Sequence, residues 1–92
     1  MYPGRETLIN FTKHYADDVQ VVSSIRGTNM AAINLGHYHL EVSNSETNST
    51  MFCDVYHHYT NIGSYAEKDI TKLHKLVDDT ITEHNRNHKQ PA

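Results

Sequence analysis

Two stretches of this chain alternate strictly between apolar and polar residues, and that alternation limits the available folds more than any other feature. In GHYHLEV, Gly36 to Val42, the residues Tyr38, Leu40 and Val42 take every second place, with His37, His39 and Glu41 between them. In MFCDVYHH, Met51 to His58, Met51, Cys53 and Val55 alternate with Phe52, Asp54, Tyr56 and His58. Period two belongs to a β-strand, whose side chains point to opposite faces in turn. The linking segment SNSETNST, Ser43 to Thr50, is polar throughout. A hairpin centred between Glu46 and Thr47 sets Val42 opposite Met51, Leu40 opposite Cys53 and Tyr38 opposite Val55, all on one side. A slip of one residue would mix apolar and polar side chains on both faces, so burial specifies the register. The strands are expected over 30–43 and 50–60. Ile33 and Leu35 have the opposite parity, and Gly36 stands at the changeover, where a bulge or bend can turn the first strand.

The flanks read as helices. Leu8, Phe11, Tyr15, Val19, Val22 and Ile25 recur at spacings of three and four, predicting helical structure over 5–26, in one piece or two with a bend at Asp17–Asp18. Gly27 is placed to end it in a left-handed conformation. The β-branched cluster Val19, Val21, Val22 supports a strand as the minor alternative. Ser64 and Glu67 form a capping box, S-x-x-E, and Ala66, Ile70, Leu73, Val77 and Ile81 continue a stripe, predicting a helix over 65–85 and a loose tail over 87–92. The expected fold is a single α+β domain over 1–92, in two layers. A helix, an antiparallel β-hairpin with room for a third strand, and a second helix follow in order, both helices packing on the Tyr38/Leu40/Val42 side.

Composition narrows the function. Hydrophobic residues make up 37% of the 92, and exchanging the six tyrosines in that count for the four glycines lowers it to about 35%, against roughly 45–50% in ordinary globular chains. So thin a core would gain from a partner, a second copy of the chain included. The formal charge is −3 with neutral histidines, and protonating all eight would bring it to +5. The eight Lys and Arg residues are scattered, which argues against binding free DNA or RNA. No apolar run reaches the roughly 20 residues of a membrane span, and MYPGRETLIN does not read as a signal peptide, so a cytoplasmic protein is expected.

The polar side of the hairpin carries the candidate chemistry. In that register His39 faces Asp54, His37 faces Tyr56 and Glu41 faces Phe52. Two imidazoles and a carboxylate, His37, His39 and Asp54, have the donor types of a zinc site, which defines one reading: a metal-binding or pH-responsive module. The other reading is a surface that meets a protein, because Phe52 and Tyr56 interleaved with His and acids are unusual decoration for a purely solvated face. Its contacts would be His37, His39, Glu41, Phe52, Asp54, Tyr56 and His58, with Asn44, Glu46 and Asn48 from the connecting loop. Catalytic residues and cofactors are not expected. There is no Gly-rich phosphate loop, no G-x-S-x-G elbow and no paired carboxylates that an element brings together, and Cys53 lies on the apolar side, away from any histidine. His84 and His88 have the helical spacing of a zinc protease without its glutamate.

A short single-domain chain with a thin core and no catalytic motif resembles the phage-encoded anti-CRISPR inhibitors in size and kind across its whole length, although no motif carries that resemblance. It implies a host-cytoplasmic, non-enzymatic protein that sterically blocks a CRISPR effector complex, a nucleoprotein, or its access to target nucleic acid.

Overall fold

Alternation continues well beyond the two stretches in which it is most visible. The computed structural model describes residues 3–46 and 48–88, without the side chains of Pro3, Asn48, Ser49 and His88. Helix α1 (Pro3–Lys13) leads into five strands, β1 (Val21–Ser23), β2 (Thr28–Leu35), β3 (Tyr38–Ser45), β4 (Asn48–His57) and β5 (Thr60–Glu67), and helix α2 (Ile70–His88) follows. The strands form one antiparallel sheet in chain order. The chain is therefore α+β, but its sheet is a five-stranded meander and not the expected hairpin of two or three strands.

The corrections have local causes. The expected strand over 30–43 is two strands, because Gly36, at φ 65°, and His37 make a tight turn that pairs Leu35 with Tyr38. Folding back there sets Ile33 opposite Leu40, so the change of parity marks a reversal of direction and both residues reach the core. The predicted helix over 5–26 ends at Lys13, where His14 and Tyr15 donate backbone bonds to Phe11 and Thr12 in a tightened last turn. Val21 and Val22 then pair with Ala31 and Met30, the β-branched alternative. Gly27 is left-handed, at φ 82°, as part of the β1–β2 turn and not as a helix cap.

Ser64 is no helix cap either. It stands opposite Asp54 in the ladder, and Asp69 caps α2 by accepting the Thr71 and Lys72 N–H groups at 2.9 and 3.4 Å. The helix of 65–85 thus starts at Ile70, and it continues through His88, so 87 and 88 are helical; Lys89 to Ala92 of the expected tail lie outside the described residues.

The β3–β4 hairpin closes with Ser45 opposite Asn48, as the expected register has it. An irregularity between Asn44 and Ser45 then advances the pairing by two residues, so Leu40 faces Val55, Val42 faces Cys53 and Asn44 faces Met51. The expected partners are wrong by two and the sorting of faces survives, because two residues is one full period.

Both helices lie on one side of the sheet. Leu8 and Phe11 of α1 and Leu73 and Val77 of α2 close over Ile33, Leu40, Val42, Met51, Cys53 and Val55, all of them 1% exposed or less. Side chains so fully buried contribute roughly 1.5–3 kcal/mol each. The hydroxyl of Tyr65 on β5 bonds Thr80, fastening α2 to the sheet edge. Among the described residues no helix is long and apolar enough to cross a membrane.

Candidate functional site: the open face of the sheet

With both helices on one side, the other face of β1–β5 is uncovered, and the registers arrange its side chains in rows across the strands. Val22, Met30, Ser43, Phe52 and Ala66 stand opposite one another in sequence. Val22, Met30 and Phe52 are 60%, 57% and 47% exposed, which makes this row an apolar stripe in water. The next row is Ala32, Glu41, Asp54 and Ser64, in which two carboxylates face each other. The third is Asn34, His39, Tyr56 and Asn61. A groove of about 740 Å³ on this face is lined by Val22, Met30 and Ser43 of the first row and Ala32, Glu41 and Asp54 of the second. A second groove, about 630 Å³, is lined by His39, Tyr56, His58 and Tyr59 and shares Glu41 with the first.

This face collects His39, Glu41, Phe52, Asp54 and Tyr56 as expected, but not the expected zinc ligands. His39 stands opposite Tyr56, its ring 6.0 Å away, and Asp54 stands opposite Glu41. The Nδ1 of His39 is 2.8 Å from Asn34 Oδ1 and its Nε2 is 3.3 Å from Glu41 Oε2, so both ring nitrogens are engaged by oxygen. His37 sits apart in the β2–β3 turn, stacked obliquely against His58 of the β4–β5 turn at 4.7 Å. His58 and Tyr59 hold left-handed backbone there, φ 49° and 69°, without being glycine. Among the described residues no three His, Cys, Asp or Glu side chains converge as a metal would need.

The loop residues have another use. Asn44 is 4% exposed and donates to the Gly4 carbonyl at 2.7 Å, and Glu46 accepts the Gly4 N–H at 3.2 Å. Asn29, 1% exposed, donates to both of them, at 3.0 and 2.6 Å, and accepts from Ser23 at 2.6 Å. This network seats the first turn of α1, whose N–H groups lack helical partners and favour an anionic neighbour. Gly4 suits this close approach, since a Cβ there would lie 3.0 Å from the Ser45 carbonyl oxygen, tighter than ordinary contact. The side chain of Asn48, the third loop residue, lies outside the described residues.

Sequence reasoning missed two histidine pairs, both joining α2 to the rest of the chain. His74 stacks flat on Phe11 at 4.3 Å and lies 4.0 Å from the ring of His14; its Nδ1 is 3.1 Å from the Tyr15 hydroxyl, which donates to Asp78 at 3.2 Å. Burial, and then His14, lower the pKa of His74 against the opposing pull of Asp78. At the other end His84 Nε2 lies 3.0 Å from His57 Nδ1, beside the ring of Tyr38. The one available signal is position: His74 adjoins Leu73 of the apolar stripe, and His84 follows Ile81 by three. Cys53 is fully buried and its thiol is pushed up to about 12, by burial first and Asp54 second, so it is held protonated and is a poor nucleophile.

No known protein family, curated protein or solved structure matches the chain.

Proposed function

We propose that this chain is a non-enzymatic binding protein that acts by covering part of a larger protein, and that the open sheet face is what it presents. The observation that carries this reading is the exposed row of Val22, Met30 and Phe52 alongside the Glu41–Asp54 pair. Interface cores are apolar with polar rims, and this face has the same layout. The rim groups His39, Tyr56 and His58 would contribute directional contacts, whereas Asn44 and Glu46 hold α1 in place. In the form implied by the resemblance to anti-CRISPR inhibitors, the partner is a CRISPR effector complex in the host cytoplasm and the effect is steric.

Two experiments test this. Pulldown from a host lysate with untagged protein as competitor should retain a specific protein or nucleoprotein, and Phe52→Ala with Met30→Ala should release it while melting stays nearly unchanged. Retention that ignores both substitutions removes the open face from the proposal. For the CRISPR form, the purified chain is added to effector complexes before target nucleic acid. Unaltered target binding and cleavage by those complexes would reject it.

A further inference from the structure

Six of the chain's histidines are found in two clusters, and the one at the far end of α2 brings two ring nitrogens to within 3.0 Å of each other. We infer that His57 and His84 form a two-imidazole seat for a tetragonal divalent transition-metal ion, Cu2+ or Ni2+. His57 is the last residue of β4 and His84 lies in the second half of α2, 27 positions on, yet His57 Nδ1 and His84 Nε2 are 3.0 Å apart with their ring planes at 62°. A metal about 2.0–2.1 Å from each of two nitrogens so spaced would subtend an angle of about 95°. That is close to the cis angle of square-planar and octahedral coordination, the geometries of Cu2+ and Ni2+ with nitrogen donors. A tetrahedral ion such as Zn2+ needs about 3.3–3.4 Å between the same atoms at those bond lengths. Mg2+ and Ca2+ take oxygen ligands and do not fit a pair of imidazoles.

The seat is held from both sides. The Tyr38 ring packs on His57 at 4.6 Å, and the Tyr38 hydroxyl donates to Asn85 Oδ1 at 2.7 Å, fixing the helical residue next to His84. Binding requires the ring that now donates to carry its proton on its other nitrogen, a change of tautomer with no net change of charge. Two further imidazoles stand nearby on exposed turns. The His58 ring is 4.3 Å from that of His57 and the His37 ring is 6.5 Å from it. Neither ring converges on the pair as the chain stands, so the two-histidine bite is the part that is already formed.

The test titrates the full chain with CuSO4, and separately with NiCl2, at neutral pH by calorimetry. The Cu2+ form is then examined by electron paramagnetic resonance for coordinated imidazole nitrogen. One equivalent should bind, with at least two imidazole nitrogens in the spectrum. His57→Gln and His84→Gln should each weaken binding by about tenfold or more, since loss even of an outer partner of a metal ligand costs 10–100-fold. His14→Gln, in the other cluster, should leave it unchanged. Far-UV circular dichroism of the metal-free variants checks that they fold. In the unmutated protein, paramagnetic broadening by substoichiometric Ni2+ should reach the His57 and His84 ring signals first. Absence of one-equivalent binding overturns the inference. So does binding that survives both substitutions, or that is lost with His14→Gln alone, or broadening centred on other histidines.

Discussion

The two faces of the sheet are made by the same strands, yet adjacent residues have opposite fates. Leu40, Val42, Cys53 and Val55 lie under the helices with 1% exposure or less, whereas His39, Glu41, Asp54 and Tyr56, each one place along, look the other way. Packing fixes the covered face, because every side chain there has helix or sheet neighbours. The open face has only its cross-strand partners to satisfy, and its exposed apolar row adds little to stability. Stability and the recognition proposed for the open face can therefore be altered separately, one residue apart on a single strand.

The largest expected effect sits on the covered side. Leu40→Ala should cost about 2–5 kcal/mol by leaving a cavity under α1 and α2, and Phe52→Ala, 47% exposed on the open side, should cost less than about 1 kcal/mol. Urea denaturation of the two variants reads both numbers. Comparable losses would mean that the open face is also packed and that the contrast is false.

The covered face is not uniformly apolar, and Asn29 shows where. Asn29→Ala should cost about 1–3 kcal/mol, because Ser23, Asn44 and Glu46 would all lose a buried or half-buried partner. The loss should be accompanied by faster amide exchange in the first turn of α1. An unchanged midpoint would show that water replaces the side chain without penalty.

What could be read in the sequence follows the same division. Parity was legible in Tyr38–Val42 and Met51–Val55, because an error of one residue would expose the core, and it placed His39, Glu41, Phe52, Asp54 and Tyr56 on the open face. Pairing was not legible, since an advance of two residues leaves every face as it was and only the irregularity at Asn44–Ser45 decides it. Val19, Val22 and Ile25 continued the stripe of α1 by coincidence of spacing, and the Ser64/Glu67 signature had no means of showing that both residues alternate on a strand. The histidine pairs depend on contacts between residues 27 and 60 positions apart, beyond the reach of any local pattern.

Acid should weaken the covered side before the open one. His74 has a pKa below the ordinary value of about 6.5 because it is desolvated against Phe11 and faces His14. Between the unfolded value and the lower folded one, the unfolded chain binds more protons. The contribution is therefore complete above about pH 6.5, is lost as pH falls, and is gone below the folded value. Melting temperature should drop through this interval, and His74→Phe, which keeps a ring on Phe11 without a proton to accept, should flatten the drop. Asp78 and Tyr15 face the same ring, and Asp78→Asn should steepen the loss by removing the charge that favours the protonated form. A pH profile unaffected by His74→Phe would place the acid sensitivity elsewhere.

The smallest effect tests the open face directly. Glu41 and Asp54 are like charges in opposite register positions, an arrangement that costs a few tenths of a kcal/mol up to about 1 kcal/mol relative to neutral pairs. Asp54→Asn should therefore stabilise the isolated chain slightly, and the gain should shrink as salt is raised, because exposed charges are screened within about 10 Å at 0.1 M ionic strength. A covered-face substitution should do neither. If the pair exists to receive a cationic group from a partner, the variant that melts higher should also bind more weakly, with salt eroding parental binding but not the variant's. A gain in stability with unchanged binding would leave the apolar row as the whole of the contact, whereas a loss of stability would show that Asp54 is held by the sheet and is not offered to a partner.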